Sequence, residues 1–305
     1  MPSAAPDDNI ADEPIAYRAR LRDYYLALGY QSPYRWANFA DVPFTALRQP
    51  LEQSSIAIVT TAAPYVPGAG DQGPGAAYNG AAKFFSVYEM PVIEEPDLRI
   101  SHIAYDRQHS PATDQNSWFP LTQLKRLAAC NRVGSVAKTF FGLPTNRSHR
   151  ITSEVDCPEL VRKVSGVGAD ACILVANCPV CHQSVSIAAR QLEAAGIPSV
   201  VMGCAKDIVE HVGVPRFVFS DFPLGTAAGI PHNERSQEAT LLLAVGLLAG
   251  APAARTTVQS SQRWQGTPDW KLDYSNASRL SADELAARRT EFDLQKQRAK
   301  SAREL

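Results

Sequence analysis

The chain has no excess of charge of either sign. Its 305 residues carry 30 Lys and Arg against 31 Asp and Glu, a formal net charge of −1. That removes the electrostatic footprint with which a protein binds nucleic acid or an anionic membrane. A long apolar run is also missing. The most apolar stretch, 239–251, "ATLLLAVGLLAGA", is too short to span a bilayer and reads as a buried helix. The opening "MPSAAPDDNIADEP" has no basic segment followed by an apolar one, so no signal peptide is expected and a cytoplasmic location is predicted. No Gly-x-Gly-x-x-Gly fingerprint is read as following a predicted strand, so no bound NAD or FAD is expected. Cysteine is scarce: six residues, with one pair, Cys178 and Cys181, at short spacing. In a cytosolic chain this is no disulfide framework. Cys130 and Cys172 read as small core residues, Cys157 receives no role, and Cys204 is a possible third thiol beside the pair.

What is present is an ordinary globular balance, 45% apolar and 20% charged, with strands alternating with helices. "SIAIVTT" (55–61), "DACILVANC" (170–178), "SVVMGC" (199–204) and "RFVFS" (216–220) are apolar runs of the kind buried in parallel sheets. "RISHIAYD" (99–106) reads as a further strand, and the 62–80 stretch as a long Gly/Pro loop of a length that is usually functional or disordered. Helices are predicted between them, so the fold class is α/β around a largely parallel sheet. The echo between "SIAIVTTAAPY" and "ACILVANCPVC" predicts two facing Rossmann-like lobes. The expected organisation is an N-terminal helical arm (1–50), a first lobe (51–150), a second lobe with the cysteine pair (151–255), and a C-terminal tail and surface helix (256–305). Tyr17, Leu21, Tyr24, Tyr25 and Leu28 fall near one face of the arm helix, and Ser281-x-x-Glu284 is a capping box opening the last one.

The chemistry concentrates in "NCPVCHQ" (177–183). Cys178 follows an apolar strand and Cys181 falls in the first turn of the next helix, the crevice end of a parallel α/β sheet. Helix N-termini carry unsatisfied N–H groups and partial positive charge, which favour a thiolate. Cys-x-x-Cys dithiols so placed have a first cysteine with a pKa below the free value of about 8.5. A nucleophilic Cys178 resolved by Cys181 is therefore coherent, with His182 beside them. Haem attachment at Cys-x-x-Cys-His belongs to exported proteins. Zinc usually takes two spaced ligand pairs, so here it would need His182, Cys204 or His211 as further donors.

The blocks around this pair are "PFTALRQPLEQSSIAIVTTAA", "DLRISHIAYDRQHSPATDQNSWFPLTQLKRL", "GSVAKTFFGL" and "ADACILVANCPVCHQS…LEAAGIPSVVMG". With them the chain resembles, over most of 33–250, the selenoprotein B family of glycine, sarcosine and betaine reductases, together with the related D-proline reductase subunit. In that family a selenocysteine three residues before a cysteine attacks the substrate in reductive cleavage of a carbon–nitrogen bond. By resemblance, those positions are Cys178 and Cys181. This chain has sulfur in place of selenium, and Ser184 where a further family cysteine is often found.

The resemblance implies a thiol-dependent reductase of a small amino-acid-like or heterocyclic substrate. It also implies an external dithiol reductant such as a thioredoxin-like protein, a partner subunit and a homo-oligomer. Substrate contacts are expected from Thr60, Thr61, His102, Asp106, Asp114, Asn116, Asp221 and Gly225, at strand ends and in the family-like loops. The bland alternative makes His102 a buried residue with one hydrogen bond and Asp114 a cap. Two other classes stay open: a cofactor-independent racemase, isomerase or lyase, for which Thr60 and Thr61 offer no second thiol, and a protein that binds zinc, copper or a partner through the cysteine pair.

Overall fold

The structure, a computed structural model, describes residues 12–92, 96–100 and 102–304. Its strands are β1 (Ser55–Thr60), β2 (Ala63–Pro64), β3 (Tyr88–Pro91), β4 (Leu98–Arg99), β5 (Ser135–Val136), β6 (Thr139–Gly142), β7 (Ala171–Val175), β8 (Ser199–Gly203), β9 (Arg216–Phe219) and β10 (Thr256–Gln259). Eight of them form one sheet in the order β10-β9-β8-β7-β1-β6-β3, with β5 also pairing β1. Every pairing in it is parallel except that of β3 with β6. This is the α/β architecture that the apolar runs predict. The segments 51–150 and 151–255 join within this sheet, where Ile56 to Thr60 pair in register with Ala171 to Val175.

β7, β8 and β9 are buried along their whole length, which is why they read as unbroken apolar runs rather than alternating ones. The principal helices are α1 (Tyr17–Ala27), α2 (Leu121–Ala129), α3 (Cys157–Gly166), α4 (Pro179–Ala194), α5 (Lys206–Val212), α6 (Glu234–Gly250) and α7 (Ala282–Glu304). α4 buries nearly every side chain, and in its last turn Glu193 forms an ion pair with Arg216 at 2.6 Å, both fully enclosed. The same carboxylate accepts from the Ser199 N–H, and Arg216 donates to the Thr45 carbonyl, so the pair fastens the N-terminal arm to the sheet.

Two expectations are corrected. Among its described residues the 99–106 stretch is strand only at Arg99, the end of the Leu98–Arg99 strand that pairs β2; Ser101 lies outside the described residues. Beyond it, the Arg107 guanidinium donates to the carbonyls of Ala76, His102 and Ile103 and holds the chain in turns. Cys130 is exposed at the C-cap of α2 rather than in the core, because the buried face of that helix is made by Leu121, Leu124 and Leu127. α7 is the expected surface helix. It opens at the capping box, with Ser281 Oγ accepting from the Glu284 N–H and the Glu284 carboxylate accepting from the Ser281 N–H. It packs on the turn at Gly80, whose N–H donates to Gln295 Oε1 at 2.9 Å. No described helix is long and apolar enough to cross a membrane.

Candidate active site

β7 ends three residues before Cys178, which is the N-cap of α4, with extended backbone (φ −138°, ψ 167°). Pro179 occupies the first helical position, where its missing N–H costs nothing. Cys178 Sγ accepts from the Cys181 N–H at 3.2 Å, sulfur in the place an N-cap oxygen normally takes. The two cysteines are joined as a disulfide, Cα to Cα 4.9 Å. Cys178 keeps 5% of its surface exposed and Cys181 none, so only Cys178 can be reached from outside.

His182 lies one turn into α4 and is fully buried. Its Nδ1 is 2.7 Å from the Cys178 carbonyl, and its Nε2 accepts from the N–H groups of Cys204 (2.8 Å) and Ala205 (3.2 Å). Those partners fix the tautomer: Nδ1 carries the proton and Nε2 the lone pair. Burial pushes its pKa down to about 4, so the ring stays neutral and works as a brace beneath the dithiol. His102 Nε2 is 2.6 Å from the Thr61 carbonyl, to which it donates, leaving its Nδ1 lone pair free. Burial likewise lowers His102 to about 4. His102, Cys178 and Cys181 each offer a ligand atom within 4.8 Å of the others, so once reduced the trio has three donors for a soft metal ion.

A cavity of about 230 Å³ opens over Cys178 and His102. Its walls are aromatic: Tyr25, Tyr34, Trp36, Tyr78 and Phe292. Lys83, Arg147 and Lys296 supply its charge. Arg147 has left-handed backbone (φ 58°), a conformation costly for a side-chain-bearing residue and common where a group must be held in place. Its guanidinium lies 5.8 Å from the centre of the Phe292 ring. Burial, then the nearby Arg147 and Arg303, lowers Lys83 to about 8.

The other expected contacts fall elsewhere. Thr60 and Thr61 are buried at the end of β1; Thr60 Oγ1 accepts from the Ala62 N–H, and Thr61 Oγ1 accepts from the Asn177 N–H. Asp106 pairs with His109 at 3.0 Å. Asp114 caps the Gln115–Ser117 turn, accepting from the Asn116 N–H, and reaches the His232 N–H and the Gln237 amide. Asn116 is half-buried in that turn. Asp221 is paired with Lys271 at 2.5 Å in a separate cavity. Gly225 needs its positive φ of 108°, and a Cβ there would meet the Tyr105 ring at 3.1 Å. None of these lines the pocket over Cys178. Gly68, Gly70 and Gly73 do fit Gly-x-Gly-x-x-Gly, but in a loop that opens no α-helix.

Over 159 residues the chain is 30% identical to D-proline reductase subunit gamma from Acetoanaerobium sticklandii, a match covering 52% of this chain. It spans 65% of that subunit's length. No family model and no solved structure matches the chain.

Proposed function

We propose that the protein is a thiol-dependent reductase of the proline and glycine reductase type, with Cys178 as nucleophile and Cys181 as its resolving partner. The supporting observation is the contrast between the two sulfurs: Cys178 opens on the pocket from a helix N-terminus, while Cys181 is sealed behind it. In the reaction the Cys178 thiolate attacks a carbon bonded to nitrogen, and the carbon–nitrogen bond breaks as nitrogen takes a proton. The Cys181 thiolate then attacks Cys178 sulfur. The carbon–sulfur electron pair returns to carbon, which takes the second proton. One C–N bond becomes C–H and N–H, and two thiols become one disulfide, a two-electron exchange. An external dithiol reductant restores the pair, and the relative's standing as a subunit supports a partner subunit here. The His182 brace holds the Cys178 carbonyl, and hence the start of the helix, through both steps.

The test offers the reduced protein, with dithiothreitol, a panel of small carboxylates that carry a carbon–nitrogen bond, N-heterocyclic acids as well as cyclic and N-substituted amino acids, and measures release of the nitrogen-bearing product, which for a ring is the opened chain. Cys178→Ser should abolish release, whereas Cys181→Ser should stop with substrate bound to Cys178, visible as added mass. Full turnover by Cys178→Ser sinks the mechanism. The His102–Cys178–Cys181 cluster favours a second reading, a zinc or copper site in the reduced state. Stoichiometric metal in the purified protein, lost on thiol alkylation, would support it over the redox account.

A further inference from the structure

The charge in the pocket over Cys178 is of one sign. Lys83 and Arg147 come from two separate loops and Lys296 from α7, and none of the three forms an ion pair with a described carboxylate. Among the described residues no Asp or Glu lines the cavity. The rest of the wall is mainly aromatic or aliphatic. We propose that this pocket takes an anion with a flat, apolar or aromatic body and no ammonium group, in preference to a zwitterionic amino acid.

A zwitterion brings two charges into the cavity. Its carboxylate would find Lys83 and Arg147, but its ammonium would find no described carboxylate and would sit among like charges. Aromatic walls can hold an ammonium by cation–π attraction. Here the Arg147 guanidinium already stands 5.8 Å from the centre of the Phe292 ring, so that face is shared with a fixed cation. The depressed pKa of Lys83 agrees: the ammonium is half-buried beside two guanidinium groups without a counter-charge, which a bound anion would supply. Tyr25, Tyr34, Trp36, Tyr78 and Phe292 offer a body-sized apolar surface that a short aliphatic acid would leave unfilled. The inference rests on the reductase reading only in setting the reacting carbon over Cys178.

Calorimetric titration of the full reduced chain with matched probes tests it: 3-phenylpropanoate, phenylalanine of each hand, 3-phenylpropanamide and propanoate. 3-Phenylpropanoate should bind at least about tenfold tighter than any of the other four, the scale of one charge-assisted contact. Arg147→Met and Lys83→Met should each weaken that probe about tenfold while leaving the neutral amide unchanged. Phenylalanine binding as well as or better than 3-phenylpropanoate overturns the proposal, and so do equal binding of the amide, variants without effect, or no binding at all. A Cys178→Ser protein that kept turnover would end the reductase mechanism while leaving the anion preference standing. Loss of the preference with intact thiol chemistry would end only this inference.

Discussion

His182 lies against the backbone of Gly203: a Cβ on that glycine would come within 2.5 Å of His182 Cδ2 and 2.7 Å of Nε2. The last residue of β8 thus leaves room for the ring that ties the Cys178 carbonyl to the Cys204 N–H. Gly203→Ala should push the ring off both partners. Overpacking and a stranded buried N–H together should cost about 2–4 kcal/mol, read by urea unfolding. A variant as stable as the parent would show that the ring has somewhere else to go.

The two buried imidazoles give a pH dependence with a defined sign. His102 and His182 have folded pKa values of about 4, against about 6.5 in the unfolded chain. Above about 6.5 both states hold the rings neutral. As pH falls from there toward 4 the unfolded state takes up protons that the fold refuses, so stability drains away, by about 3 kcal/mol per ring at full extent. Asp106, Glu193 and Asp221, raised by burial, act in the opposite direction, so a melting curve alone mixes the two. Ring proton resonances separate them: both histidines should remain neutral at pH 5. A His182 ring titrating near 6.5 would remove the brace.

α7 closes the pocket through a contact that admits no side chain. A Cβ on Gly80 would fall 2.4 Å from the Gln295 carbonyl oxygen and 3.0 Å from the Ala299 nitrogen. Gly80→Ala should lift the helix that carries Phe292, Lys296 and Ala299 into the cavity wall. The expected result is faster alkylation of reduced Cys178 by iodoacetamide, with a stability loss of about 1–3 kcal/mol. An unchanged alkylation rate would mean that α7 does not govern access.

Much of the scaffold was legible because burial on both faces writes itself as a continuous apolar run: β1, β7, β8 and β9 all read that way, and so did the strand-to-helix junction at Cys178. β6, four residues of "TFFG", and the edge strands β3 and β10 are too short or too mixed to carry a period. The pocket wall was hidden for another reason. Tyr25 read as part of a helix face, Tyr34 and Trp36 as a covering arm, and Phe292 as part of a charged surface helix. Only the fold brings them to one place. Asp114 and Asp221 show the converse: their partners, Gln237 and Lys271, lie 123 and 50 residues further along the chain, and no local pattern announces such a pairing.

The placement of β1 inside the sheet, between β6 and β7, has a consequence for how the chain reaches this state. Its neighbours β6 and β7 begin at Thr139 and Ala171, long after Ser55 has left the ribosome. Until they emerge, an apolar strand waits with both edges unpaired, the condition in which nascent chains stick to one another. Pairings this distant in sequence also form slowly. Refolding of this protein should therefore be limited by the meeting of β1 with β7, and its yield should fall as protein concentration rises.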